Sequence, residues 1–282
     1  MRAFMATLCE LADRNRDALS RRFEEIPQGP RRVRRDEVRA VVERDGRLSV
    51  NLSPAGLQGF LDSGRLKNRF DLAREQASVD GVDALEIVRA SLKVWAPRRV
   101  AFETAFDGSP GRLYYGALNV EGLGAPRYGD FCVVAKAESP HRAQTCWIAW
   151  DSLKGPWFVE NRDQPDPQTL ETHLAAHEDV GKLAALKLDD RSPIPESHAT
   201  WKSTLCSDSD YVEAAFRHPI RIADVEAVRV DAQAVRAIRA QLLARPPQGA
   251  DRDAIRDAVA AADVFRLLRE RSVPVVEVER RA

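Results

Sequence analysis

The chain has no apolar run approaching the ~20 residues needed to span a bilayer. Its amino terminus, MRAFMATLCELADRNRD, lacks the sustained apolar core and cleavage site of a secretory signal. It also has no excess of charge of one sign, because 43 basic residues balance 43 acidic ones. No global field therefore favours nucleic acid or an anionic membrane. The four cysteines, Cys9, Cys132, Cys146 and Cys206, show no CxxC spacing, and two of them sit in apolar runs typical of buried thiols. That usage fits a reducing compartment. Internal repeats and low-complexity segments are missing as well. The expectation is a cytoplasmic protein, or one delivered into a target cell without a Sec signal, with no membrane partner and no strong nucleic-acid signal.

What is present is a chain of 282 residues, 44% hydrophobic, long enough for one large or two modest cores. Residues 1–47 read as an N-terminal helical region. Phe4, Leu8, Leu11, Leu19 and Phe23 recur at helical spacing before the break Pro27-Gln28-Gly29-Pro30, and a charged helix follows around Arg35 to Glu43. Arg31, Arg32, Arg34 and Arg35 read as a solvated basic face. Residues 48–232 alternate strand-length apolar runs with short helices and Gly/Pro punctuation, and this part holds any site. Residues 233–282 return to helix, with Val235, Ile238 and Leu242 on one face and Ile255, Val259, Ala262 and Phe265 on another. A short last strand, Val273 to Val278, is placed to pair with the main sheet. The fold class is α+β.

Within the middle part, Leu48 to Leu52 alternates as a strand. Ser53 is a natural N-cap, Pro54 fits the first helical position, and Gly64 closes the helix that runs through Leu57, Phe60 and Leu61. A helical stretch around Val82 to Val94 leads to Arg99 through Phe106, then to Tyr114-Tyr115-Gly116-Ala117-Leu118-Asn119-Val120. Asn119 interrupts an apolar run, so its amide requires hydrogen bonds, whether to a loop or to a ligand. Strands follow at Phe131 to Ala135 and Thr145 to Ala149. Trp147, Trp150, Trp157 and Phe158 read as core and rim packing, since no basic residues interleave them.

The segment Tyr211 to Val230 carries an isolated acid, Glu213, in a strand-like run. If extended, it sends Val212, Ala214 and Phe216 to one side and Tyr211, Glu213 and Ala215 to the other. The polar turn Ser207-Asp208-Ser209-Asp210 puts the acid near the start of its strand. Glu213 is then either a solvated carboxylate on a half-exposed strand or a side chain presented to a ligand.

Five ordered landmarks resemble a bacterial family catalogued as a domain of unknown function. They are Val50-Asn51-Leu52-Ser53-Pro54; Phe102-Glu103-Thr104; Tyr115-Gly116-Ala117-Leu118-Asn119; Pro126-Arg127-Tyr128-Gly129 with Asp151-Ser152; and Tyr211-Val212-Glu213-Ala214 with Asp224-Val225-Glu226. The order of elements is in turn similar to the ADP-ribosyltransferase fold. That resemblance implies a split β-sheet core over residues 48–232, with the 233–282 segment packed on it, and NAD as substrate. It also implies Glu213 and Tyr115 as catalytic groups, and Asn51, Asn119, Tyr128 and Tyr211 as cofactor-binding groups. Cleavage of the nicotinamide glycosidic bond passes through an oxocarbenium-like state that a carboxylate stabilises. The implied partners are NAD and an unknown macromolecular acceptor, and the implied role is that of a bacterial effector or toxin. The first strand carries Asn51 where the family pattern has Arg or His, and Tyr211 stands where arginine-modifying members have Glu. The resemblance therefore does not imply arginine as acceptor. The alternative is a catalytically degenerate binding or interaction module of the same fold.

Two further features stand outside that pattern. His173 and His177 are four apart on an expected helix opening at Asp166-Pro167, a spacing that suits one metal but lacks an evident third ligand. The stretch Ser192 to Ser209 reads either as a loop over a pocket or as an ordinary surface connection.

Overall fold

Helices open the chain where the apolar spacing places them. The computed structural model describes residues 6–25, 27–158, 163–191, 193–208, 210–243 and 252–279. Helix α1 (Leu8–Glu24) is capped reciprocally: the Thr7 hydroxyl accepts from the Glu10 N–H, and the Glu10 carboxylate takes the Thr7 N–H. Helix α2 (Pro30–Asp45) leads into β1 (Arg47–Leu52) and α3 (Pro54–Ser63). Ser53 caps α3 and Gly64 closes it at φ 75°, as the sequence indicates. Helices α4 (Arg69–Asp80), α5 (Ala84–Leu92) and α6 (Ala96–Asp107) come next, then β2 (Tyr114–Asn119), β3 (Phe131–Ala135) and β4 (Cys146–Ile148). The chain continues through α7 (Pro167–Glu171), β5 (Leu174–Ala175), α8 (Val180–Arg191), α9 (His198–Leu205), β6 (Glu213–Phe216) and β7 (Val225–Asp231). It ends with α10 (Ala232–Leu243), α11 (Arg252–Glu270) and β8 (Val275–Val278).

The eight strands form one mixed sheet in the order β5-β4-β6-β2-β1-β3-β7-β8, antiparallel throughout except for the parallel β7–β8 pair. The split into two sheets expected from the resemblance is not seen among the described residues, because β2 pairs with both β1 and β6 and so joins the two halves. The α+β class stands. The last strand pairs with the main sheet, with Val275 opposite Val228.

Strand alternation sorts side chains between two cores. Leu48, Val50, Trp147, Val212, Ala214 and Phe216 belong to the larger one, with α2, α3, α8 and α11 packed on it. Cys146, Ile148 and Ala215 face the other, where Leu8, Leu11, Phe102, Phe106 and Trp157 cover the sheet. The N-terminal helices contribute to both cores. The inward residues of α11 are Ala261, Val264 and Leu268, with Phe265 partly packed, whereas Val259 is exposed and the Ile255 side chain lies outside the described residues.

The arginine cluster is a solvated face only in part, with the Arg31 side chain exposed. Arg35 is buried and paired with buried Asp189, Arg31 reaches the same carboxylate at 2.7 Å, and Arg32 and Arg34 pair with Asp36 and Glu37. Arginine forks take such pairs because the guanidinium is weakly hydrated and bidentate.

Candidate active site

The site grows from the sheet face that carries Glu213. Cross-strand pairing puts Glu213 between Ala117 of β2 and Ile148 of β4, and Ala215 opposite Tyr115. Ala117 and Ala215 flank the acid on that face, and α6, packed on it through Phe102 and Phe106, carries Arg99 and Glu103. Because β6 lies inside the sheet, Glu213 is only 4% exposed. That removes the solvated-carboxylate alternative. The predicted alternation holds: Val212, Ala214 and Phe216 fill one core, while Ala215 faces the other with Glu213 two residues before it.

The Glu213 carboxylate accepts the Ser152 backbone N–H at 2.5 Å. Burial pushes its pKa up from an ordinary 4.5 to about 7. The neighbouring Asp151 charge pushes the same way, while the Arg99 guanidinium and the Ser152 hydrogen bond oppose the rise. A carboxyl titrating near neutrality can hold or release a proton in ordinary solution.

Arg99 lies over the Tyr115 ring, its guanidinium carbon 3.7 Å from the centroid. The Tyr115 hydroxyl donates to Glu103 Oε1 at 3.2 Å, and Glu103 Oε2 accepts the Gly111 N–H at 2.5 Å. Burial holds the Tyr115 phenol well above its usual range and raises Glu103 as well, with Arg99 countering both. A second cluster faces this one. Arg127 Nη2 reaches Tyr128 Oη at 2.5 Å, Asp151 Oδ2 at 2.9 Å and Tyr211 Oη at 3.3 Å, and the two phenols are 3.0 Å apart. Burial is the main cause of the raised Tyr128 and Tyr211 phenols.

Between the clusters opens a cleft of about 420 Å³, lined among others by Trp95, Arg99, Glu103, Tyr115, Arg127, Tyr128 and Asp151. Glu213 is not on its wall. It stands behind the lining, in the electrostatic reach of Arg99 and Asp151.

Asn51 and Asn119 are engaged elsewhere. Asn51 Nδ2 donates to the carbonyls of Leu123 and Gly129 at 2.9 and 3.0 Å, and its Oδ1 accepts the Ala125 N–H at 2.8 Å. Asn119 clips the same connection through Gly122 in both directions, and receives Arg229 Nη1 at 3.0 Å. Both amides thus shape the β2–β3 loop that carries Arg127 and Tyr128, instead of pointing at a ligand. Gly129, at φ 152°, lets that loop touch β1, since a Cβ there would stand 2.0 Å from the Leu52 carbonyl carbon. Sequence reasoning overlooked Arg99, Glu103, Arg127 and Asp151 as site groups. Their available signal was their membership of the ordered landmarks, or in the case of Arg99 its place one helical turn before Glu103.

The two histidines do not share a helix face, because β5 separates them. The His177 nitrogens face Arg142 and Trp147, and burial together with Arg142 lowers its pKa to about 4. His173 lies against Trp157, with ring centroids 6.0 Å apart. Among the described residues no group of His, Cys, Asp and Glu could hold a metal ion. In the 193–208 stretch, α9 buries Trp201 and Leu205 in the larger core, which makes this part of the connection a packed element. No helix among the described residues is long and apolar enough to cross a membrane.

Comparison with known families finds no family model that matches this chain, and comparison with curated proteins finds no relative.

Proposed function

We propose that the cleft binds NAD and that the protein is an ADP-ribosyltransferase-type enzyme, cleaving the nicotinamide glycosidic bond. The observation that carries this reading is the convergence of Glu103 and buried Glu213 on Arg99, with Asp151 beside Glu213, at one cleft. Its volume falls in the usual ~300–1,000 Å³ range of small-molecule sites. In this reading the C1′–nitrogen bond breaks with its electron pair leaving on nicotinamide. The carboxylates then lower the free energy of the positive charge developing on the ribose. Glu213 acts in its ionised form, with Ser152 fixing one of its oxygens. Tyr115 and Glu103 orient ribose hydroxyls, and the Trp95 and Tyr128 rings offer planar surfaces to a base or to nicotinamide. An acceptor lone pair completes the transfer at C1′ and loses its proton, or water does so in simple hydrolysis.

The test is Glu213→Gln, which should abolish NAD turnover while the fold is retained. Undiminished turnover would end the assignment. A second reading, a binding module of the same fold without turnover, is favoured by the position of Glu213 behind the cleft wall. Calorimetric NAD binding without any nicotinamide release, measured on the wild-type chain, would select it.

A further inference from the structure

Arg99 is built into its place more firmly than any solvated arginine. Its guanidinium stacks on Tyr115, and Glu213 and Glu103 are its neighbouring acids. Yet Nη1, shut off from water, has no hydrogen-bond partner, although the residue lines the cleft. A buried cationic donor left unpaired is costly, and an ordered water or a ligand acceptor would satisfy it.

Two other cations of the wall are committed differently. Arg127 is spent on Asp151, Tyr128 and Tyr211, and Lys154 lies over the Trp95 ring at 5.4 Å. The lining also sets four cationic side chains, Arg69, Arg99, Arg127 and Lys154, against two carboxylates, Glu103 and Asp151. In a chain of formal net charge zero, this concentrates positive potential in one concave place.

We propose that Arg99 is an anion anchor whose Nη1 receives a phosphoryl oxygen of a nucleotide, so that the cleft selects phosphorylated over unphosphorylated nucleosides. This rests on the nucleotide reading of the same cleft. Arg99 and Glu103 are one helical turn apart on α6 and both line the cleft, so an anionic acceptor beside a hydroxyl donor matches the pair. A phosphorylated ribose does so. The cleft volume of about 420 Å³ and the Trp95 ring at its wall suit a ligand that also carries a planar base.

The experiment is calorimetry on the full chain at fixed ionic strength with ADP and adenosine. Wild type should bind ADP at least tenfold more tightly than adenosine. Arg99→Met should bring the two within about twofold, and Arg99→Lys should fall between. Equal affinities in the wild type, no binding of either, or full discrimination retained in Arg99→Met would each overturn the anchor. Should Arg99→Met fail to fold by circular dichroism, pyrophosphate competition in the wild type decides. Displacement of ADP supports the anchor, and its absence removes it. Discrimination without NAD turnover would leave the anchor standing and remove the enzyme reading. Turnover without discrimination would do the reverse.

Discussion

The backbone N–H of Ser152 points at the Glu213 carboxylate from 2.5 Å, tying the chain after β4 to the first residue of β6. This contact holds the acid in place while burial keeps its proton on to near neutrality. Glu213 therefore links the stability of the fold to pH.

Glu213 titrates near 4.5 in the unfolded chain and at about 7 in the folded one. Below 4.5 both states are protonated, and its favourable contribution is fully present. Between the two values the folded chain holds a proton that the unfolded chain has lost, so stability falls as pH rises towards 7. The loss from this group is on the order of 3 kcal/mol. Glu213→Gln should flatten that dependence and exceed wild type in stability at pH 8, as read by urea melts at pH 5 and pH 8. Parallel curves for the two proteins would contradict it.

Asn51→Ala removes three hydrogen bonds to the β2–β3 loop. It should cost about 2–3 kcal/mol, because backbone groups lose their partners. Faster amide exchange at Ala125 should accompany the loss and, in the nucleotide reading, weaker NAD or ADP binding as well, since the loop positions Arg127 and Tyr128. Unchanged exchange at Ala125 would show that the loop is held by other contacts.

Asp189→Ala strands the buried Arg35 guanidinium. A loss of about 3–5 kcal/mol is expected in chemical denaturation. The double variant Arg35→Met with Asp189→Leu should recover most of it, because the unpaired charge is then gone. A double variant as unstable as the single one would argue against charge burial as the cause.

Tyr211→Phe removes the hydroxyl that meets both Arg127 and Tyr128. Stability should drop by about 1 kcal/mol, and in the enzyme reading turnover should fall through a raised KM, since the phenol shapes the cleft wall from behind. A fall confined to kcat would instead place Tyr211 in the chemistry.

Much of the fold was legible because it depends on local chemistry. Ser53, Pro54 and Gly64 delimit α3 through capping and backbone preference, and the Phe131–Ala135 run is a strand by its continuous apolarity. The facing of Tyr211, Glu213 and Ala215 follows from a period of two alone. The spacing of His173 and His177 misled because four residues suit a helix turn, whereas tertiary pairing of Leu174 and Ala175 with β4 pulls the segment into a strand.

The sequence by itself determined the α+β class, the caps and strand periods, and the candidacy of Glu213, since these rest on neighbours along the chain. Only the tertiary structure decided that Glu213 is buried behind a cleft, that Asn51 and Asn119 serve a loop, and that Arg99, Glu103, Arg127 and Asp151 meet there. The order of strands in the sheet and the packing of α6 on its face set these distances between residues far apart in sequence. Burial, which sets the proton affinity of Glu213, is a property of that packing and not of the residue.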